Sequence, residues 1–128
     1  MIDVVTAATR LPLVLVVDPV AESRFAMWRL LSRSFGVLEA PDAQHARRWL
    51  TSRRSIDAMV VQTDLPDVEG THWIEGLIVA RVAAASRAIL VGRPVDAQAV
   101  VTRLTGWFFS RDPATTGTLQ QGAHCLVS

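Results

Sequence analysis

Apolar residues along the chain fall into two kinds of run. Leu13-Val14-Leu15-Val16-Val17 is hydrophobic at every position and rich in β-branched side chains, as a strand covered on both faces requires. Ile56 to Gln62, through Met59-Val60-Val61, and Ala88 to Gly92 repeat that texture, and Val37-Leu38-Glu39-Ala40 is a shorter version. Between these runs the period lengthens. From Val20 to Ser34, Phe25, Trp28, Leu31 and Phe35 recur at helical spacing with Arg24, Arg29 and Arg33 on other faces, and Gly36 is placed to stop that helix. Asp42 is an N-cap for a helix carrying Ala43, Ala46, Trp49 and Leu50. A third helix runs from Thr71 to Ala85 with Trp73, Ile74, Leu77 and Ile78 inward, after a loop marked by Pro66 and Gly70. Ala97, Val100, Val101 and Leu104 mark a short fourth helix closed by Gly106, and Trp107-Phe108-Phe109 reads as a fifth strand. Leu119, Ala123 and Leu126 keep the spacing of a fifth helix, short or displaced because Thr115, Thr116, Gly117, Thr118 and Gly122 are poor helix formers.

Five strands alternating with helices predict an α/β fold: a doubly wound parallel sheet with helices on both faces. In such a sheet functional groups gather at the carboxyl ends of the strands, here Asp18-Pro19, Gln62, Gly92 and Ser110-Arg111. At 128 residues there is room for one domain, read as 11–128 after a leader over 1–10. Half the residues are hydrophobic and a fifth are charged, which excludes disorder. Thirteen basic against twelve acidic side chains give a net charge of +1, too even a balance to drive binding to nucleic acid or a membrane surface. All the basic side chains are arginine, and the absence of lysine excludes any mechanism that needs one. A single cysteine, Cys125, forbids an internal disulfide. With no basic flank before an apolar core there is no signal-peptide pattern, and a soluble, cytoplasmic protein is expected.

The order and spacing of these runs resemble the receiver domain of bacterial response regulators over about residues 13–113. Val14-Leu15-Val16-Val17-Asp18 is similar to the first strand with its terminal acid. Val37-Leu38-Glu39-Ala40-Pro41-Asp42, with Ala46 and Leu50, is similar to the second strand and helix. Asp57 to Gly70 is similar to the third strand and its proline-containing loop. The resemblance implies a flavodoxin-like sheet of strand order 2-1-3-4-5 and aspartate phospho-acceptor chemistry. In that chemistry a carboxylate ending the third strand attacks a phosphoryl donor, and Mg²⁺ held with an acidic pair after the first strand neutralises the phosphoryl oxygens. A Ser or Thr after the fourth strand and a lysine after the fifth complete the set.

Carried over position by position, the chemistry is lost. Counting back four residues from Pro66 and eight from Gly70 reaches Gln62, whose neutral amide cannot form an acyl phosphate. Asp18 keeps the first acid of the pair, and Pro19 replaces the second. Gly92 stands at the hydroxyl position, and Ser110 or Arg111 at the lysine position. Losing one well-placed charge-stabilising donor costs ~100- to 1,000-fold in rate, and losing the nucleophile removes the reaction. Neither catalysis, a metal nor a cofactor is expected.

The remaining features divide between packing and recognition. Asp64, two residues beyond Gln62, is the alternative phospho-acceptor, although its offset displaces it by several ångströms; Asp67 and Glu69 read as exposed loop charges. His45, His72 and His124 lack metal-ligand spacing with one another. Arg47, Arg48, Arg53 and Arg54 form a solvated face or a site for an acidic partner. Trp28, Trp49 and Trp73 read as packing residues. Trp107 matches a family aromatic whose rotamer reports phosphorylation, and with Gly92 leaving a gap beneath it Trp107 is expected to be held partly inward. By resemblance, the face around Val100, Arg103, Trp107 and Phe109 is the place for a protein partner: a kinase, an output domain or a second copy in a homodimer. A small-molecule sensor at the vacated pocket of Asp18, Gln62 and Gly92 has no glycine-rich phosphate loop to support it. The function expected is that of a non-phosphorylatable pseudo-receiver.

Overall fold

The computed structural model describes residues 11–52 and 55–109, together with the backbone of His124–Val127. Five parallel strands, β1 (Leu13–Val17), β2 (Gly36–Ala40), β3 (Ala58–Gln62), β4 (Ala88–Val91) and β5 (His124–Val127), lie in the order β2-β1-β3-β4-β5. The connections hold α1 (Ala21–Leu31), α2 (Ala43–Leu50), α3 (Gly70–Val79), a 3₁₀ turn (Ala83–Arg87) and α4 (Ala97–Phe109).

The continuous apolar strands have the reason anticipated for them. In β1, Leu15 and Val17 enter the core beneath α2 and α3, with Ala43, Ala46, Trp73 and Ile74. Val14 and Val16 enter the core beneath α1 and α4, with Met27, Leu31, Val100 and Leu104. Because successive side chains point to opposite faces, a strand covered twice has no polar position to spare. Ahead of β3, Asp57 ties the start of the sheet together: its N–H donates to the Leu13 carbonyl and its carboxylate accepts from the Leu13 N–H, both at 2.8 Å. Among the described residues no helix is long and apolar enough to cross a membrane.

Four expectations are corrected. Trp107-Phe108-Phe109 is not the fifth strand but the last turn of α4, and β5 is His124–Val127. The spacing Val100, Val101, Leu104, Trp107, Phe108 stays helical through Gly106. There the glycine's cost of about 1 kcal/mol is outweighed by packing of Trp107 and Phe108 against the α1–α4 core. Phe108 and Phe109 both meet the Phe35 ring, at centroid distances of 6.0 and 5.5 Å. A fifth helix bearing Leu126 gives way to β5, while Leu119 and Ala123 lie outside the described residues, as do the leader 1–10, Arg53 and Arg54.

The third helix ends early, at Val79. Arg81 adopts φ 61°, its N–H donates to the Ile78 carbonyl and the Val82 N–H to that of Leu77, both at 2.9 Å. That is a Schellman ending with arginine where glycine is usual. Finally, the inward stripe of α1 is Met27 and Leu31. Phe25 and Trp28 instead stack on each other at the surface, 5.9 Å apart, with exposures of 57% and 40%, and the Arg29 guanidinium lies over Phe25.

Candidate functional site

The carboxyl ends of β1, β3 and β4 lie side by side and bring Asp18, Gln62 and Arg93 together. Asp18 continues β1 by donating its N–H to the Ala40 carbonyl at 3.0 Å. The residue is only 5% exposed. Asp18 Oδ1 accepts from Arg93 Nη2 at 2.6 Å and from the Val20 N–H at 2.9 Å. Arg24 Nη1 donates to the Asp18 carbonyl at 2.7 Å, and its Nε lies 3.5 Å from Glu39 Oε1. Two guanidinium groups therefore converge on Asp18, Arg93 on its carboxylate and Arg24 on its main-chain carbonyl.

Gln62 is the last residue of β3 and 2% exposed. Its Nε2 lies 3.5 Å from Asp18 Oδ2, at the outer limit of a hydrogen bond, and its Oε1 has no partner among the described residues. A buried orphan acceptor costs about 1–3 kcal/mol. The loop after β3 closes on Gln62 through main chain: the Gly70 N–H donates to the Thr63 carbonyl at 2.9 Å, and Asp64 and Glu69 form an antiparallel bridge. A Cβ at Gly70 would collide with the Gln62 carbonyl oxygen and stand 2.9 Å from Thr63 Cα. This glycine is required by close backbone approach, whatever side chain occupies position 62.

The other expected residues scatter. Pro19 is half-buried beside Asp18, and Gly92 is half-buried just past β4. Asp64 is exposed, and no hydrogen bond or ion pair joins it to Asp18, Gln62 or Arg93 among the described residues. With β5 at His124–Val127, Ser110 and Arg111 do not follow the fifth strand, and both lie outside the described residues. On α4, Val100 is fully buried and so cannot meet a partner, which corrects the expectation for it. Arg103 and Phe109 are exposed. Trp107 is half-buried against the α1–α4 core, on a helix and not on the strand from which it was expected to turn inward over Gly92. Trp73 is buried and Trp49 half-buried, as packing residues should be, while Trp28 is not.

The loop acids hold helices in place. Asp67 receives the N–H groups of Ala43 and Gln44 at 3.1 and 2.9 Å, bridging the β3 loop to the start of α2. Asp42 caps α2 by accepting from the His45 N–H, and its Oδ1 also meets His45 Nδ1 at 2.7 Å. The His45 N–H, then its ring, hold the Asp42 carboxyl below its ordinary value. Glu69 caps α3 through Thr71 and His72 and is likewise lowered, first by the Thr71 N–H.

The functional residues that sequence reasoning missed are Arg93 and Arg24. A signal was present: in a chain without lysine, a permanent side-chain cation over Asp18 must be an arginine, and Arg93 directly follows Gly92. The residues do not fit the Mg²⁺ that phospho-acceptor chemistry uses. Asp18 is the one buried carboxylate among the described residues, Arg93 already covers one of its oxygens, and Mg²⁺ demands near-octahedral oxygen ligation. No three His, Cys, Asp or Glu side chains form a metal-binding group among the described residues.

No family model matches the sequence, and no curated protein matches it. Solved structures do resemble the fold. The chain is 14% identical to the response regulator DrrB of Thermotoga maritima, with a TM-score of 0.64, and 76% of it aligns with 52% of that longer protein, so it spans about half of DrrB. A CheY-like receiver domain from Methanospirillum hungatei JF-1 is 16% identical with a TM-score of 0.65, covering 88% of this chain and 99% of that one. The signal receiver domain of an HD domain-containing protein from Pseudomonas fluorescens Pf-5 is 19% identical with a TM-score of 0.66, covering 88% and 100%. With the sheet order in agreement, the chain has the fold of a response-regulator receiver domain.

Proposed function

We propose that this chain is a receiver-fold module that accepts no phosphoryl group and acts through contact with a protein partner in signal transduction. The observation that carries the reading is the sheet mouth itself: a neutral Gln62 ends β3, and the guanidinium of Arg93 sits on Asp18 at 2.6 Å. An amide at the nucleophile's place forms no mixed anhydride, and an internal cation occupies the acid that would help hold a metal. Fold similarity supports the signalling role by analogy alone. Of the α4 residues expected to meet a partner, Arg103 and Phe109 are exposed, which supports contact there with a kinase, an output domain or a second copy of the chain.

Incubation with Mg²⁺ and acetyl phosphate or beryllofluoride is expected to leave intact mass and Tm unchanged. A stoichiometric phosphoryl adduct that disappears in Asp64→Asn would overturn the proposal and make Asp64 the acceptor. Self-association is read by sedimentation across a concentration series, where Phe109→Ala and Arg103→Glu should weaken any dimer built on this face.

A further inference from the structure

The outer side of α1 is built like half of an interface. Met27 and Leu31 point inward, and the opposite side of the helix carries Glu22, Phe25, Ala26 and Arg29, all exposed. Trp28 stacks behind Phe25 with the rings 17° from parallel, and the Arg29 guanidinium lies over the other ring. The charges on this side have no opposite charge along their own helix. Helical neighbours stand three and four residues apart. From Glu22 those positions are Phe25 and Ala26 ahead, Pro19 and Asp18 behind; from Arg29 they are Ser32 and Arg33 ahead, Ala26 and Phe25 behind. Glu22 and Arg29 stand about 10 Å apart along the axis, and neither takes part in an ion pair among the described residues.

A second copy of the chain supplies both missing charges. When two α1 helices lie antiparallel about a two-fold axis passing between Phe25 and Ala26, Glu22 of each copy faces Arg29 of the other. In the same register Phe25 of each copy faces the small Ala26 of the other, so a ring meets a methyl group and the helices can approach closely. A parallel pairing would set Glu22 on Glu22 and Arg29 on Arg29, which like-charge repulsion disfavours. We propose that α1 is a homodimer face on which two copies pair antiparallel through Phe25, held by reciprocal contacts between Glu22 and Arg29. Two short helices make an interface at the small end of the range, so the dimer is weak and reversible, with Kd on the order of 100 µM. The proposal names a partner for the reading above and rests on it only in that the module acts by protein contact. A phosphoryl adduct would leave this dimer standing, and a chain that never pairs would leave that reading standing.

The test is sedimentation equilibrium of the full chain over a concentration series. A monomer–dimer equilibrium is expected, with Kd raised about tenfold or more in Phe25→Ala. Glu22→Arg and Arg29→Glu each set like charges against each other at both contacts, so each alone should also raise Kd about tenfold or more. All three positions are exposed, and thermal unfolding checks that each variant keeps its fold. Mixed in equal amounts, Glu22→Arg and Arg29→Glu chains face each other with opposite charges at both contacts and should pair about as tightly as the unaltered chain. Three results would each overturn the proposal. The first is a chain still monomeric at ~1 mM, which would leave α1 to a different protein partner. The second is a dimer that keeps its Kd in Phe25→Ala and loses it in Phe109→Ala, which would place the copies on α4. The third is a mixture of the two charge variants that pairs no better than either alone.

Discussion

Asp18 and Arg93 form a half-buried pair, the acid enclosed and the arginine side chain 37% exposed. Removing one partner of a fully buried pair costs about 3–5 kcal/mol; partial solvent access to Arg93 brings the expected loss for Arg93→Ala to about 1–3 kcal/mol. Urea unfolding of Arg93→Ala, Asp18→Asn and the double variant measures the coupling, and additive losses would show that the pair contributes nothing of its own. Gly70 makes a sharper prediction. Its missing Cβ leaves room for the Gln62 carbonyl, so Gly70→Ala must displace main chain and should cost about 3 kcal/mol, read as a lower urea midpoint at unchanged slope.

At the scale of elements, helix ends decide most of the outcome. Gly76 lies on the exposed side of α3, where an added methyl group would find open space, so Gly76→Ala should stabilise by about 1 kcal/mol. Arg81→Gly, relieving the left-handed backbone of the Schellman ending, should add about 1 kcal/mol; thermal unfolding checks both. The caps predict a pH response. Asp42 and Glu69 are lowered in the folded chain by the N–H groups they accept, so in acid the unfolded chain binds more protons. Their stabilisation is complete above the ordinary carboxylate range and is lost as pH falls through it, from about pH 5 to pH 3. Asp42→Asn with Glu69→Gln should shrink the drop in Tm over that interval. The strands through β4 and the first two helices were legible because double burial and Asp42 leave direct marks in residue type. The end of α3 was not, because Arg81 does the work of a glycine. The end of α4 was misread because Gly106 carried more weight than the helical spacing that runs through it. At the site, the absent acid and lysine could be read from composition, whereas Arg93 reaches Asp18 only once β4 lies two strands from β1, a relation between distant parts of the chain.

Over the whole molecule, the sheet divides the interior into two cores that share only its backbone. Ile74 and Leu104 are fully buried on opposite faces; each mutation to alanine should cost about 2–5 kcal/mol. The two losses should add within about 0.5 kcal/mol, which chemical denaturation of the single and double variants checks. That partition also sorts the indoles. Trp28 and Trp107 belong to the α1–α4 side, Trp49 and Trp73 to the α2–α3 side. Each layer thus holds its own native fluorophores, and the enclosed Trp73 should emit farther to the blue than the more open Trp28. Chains retaining one tryptophan at a time would show whether the two halves come apart together or in sequence, with no foreign dye attached.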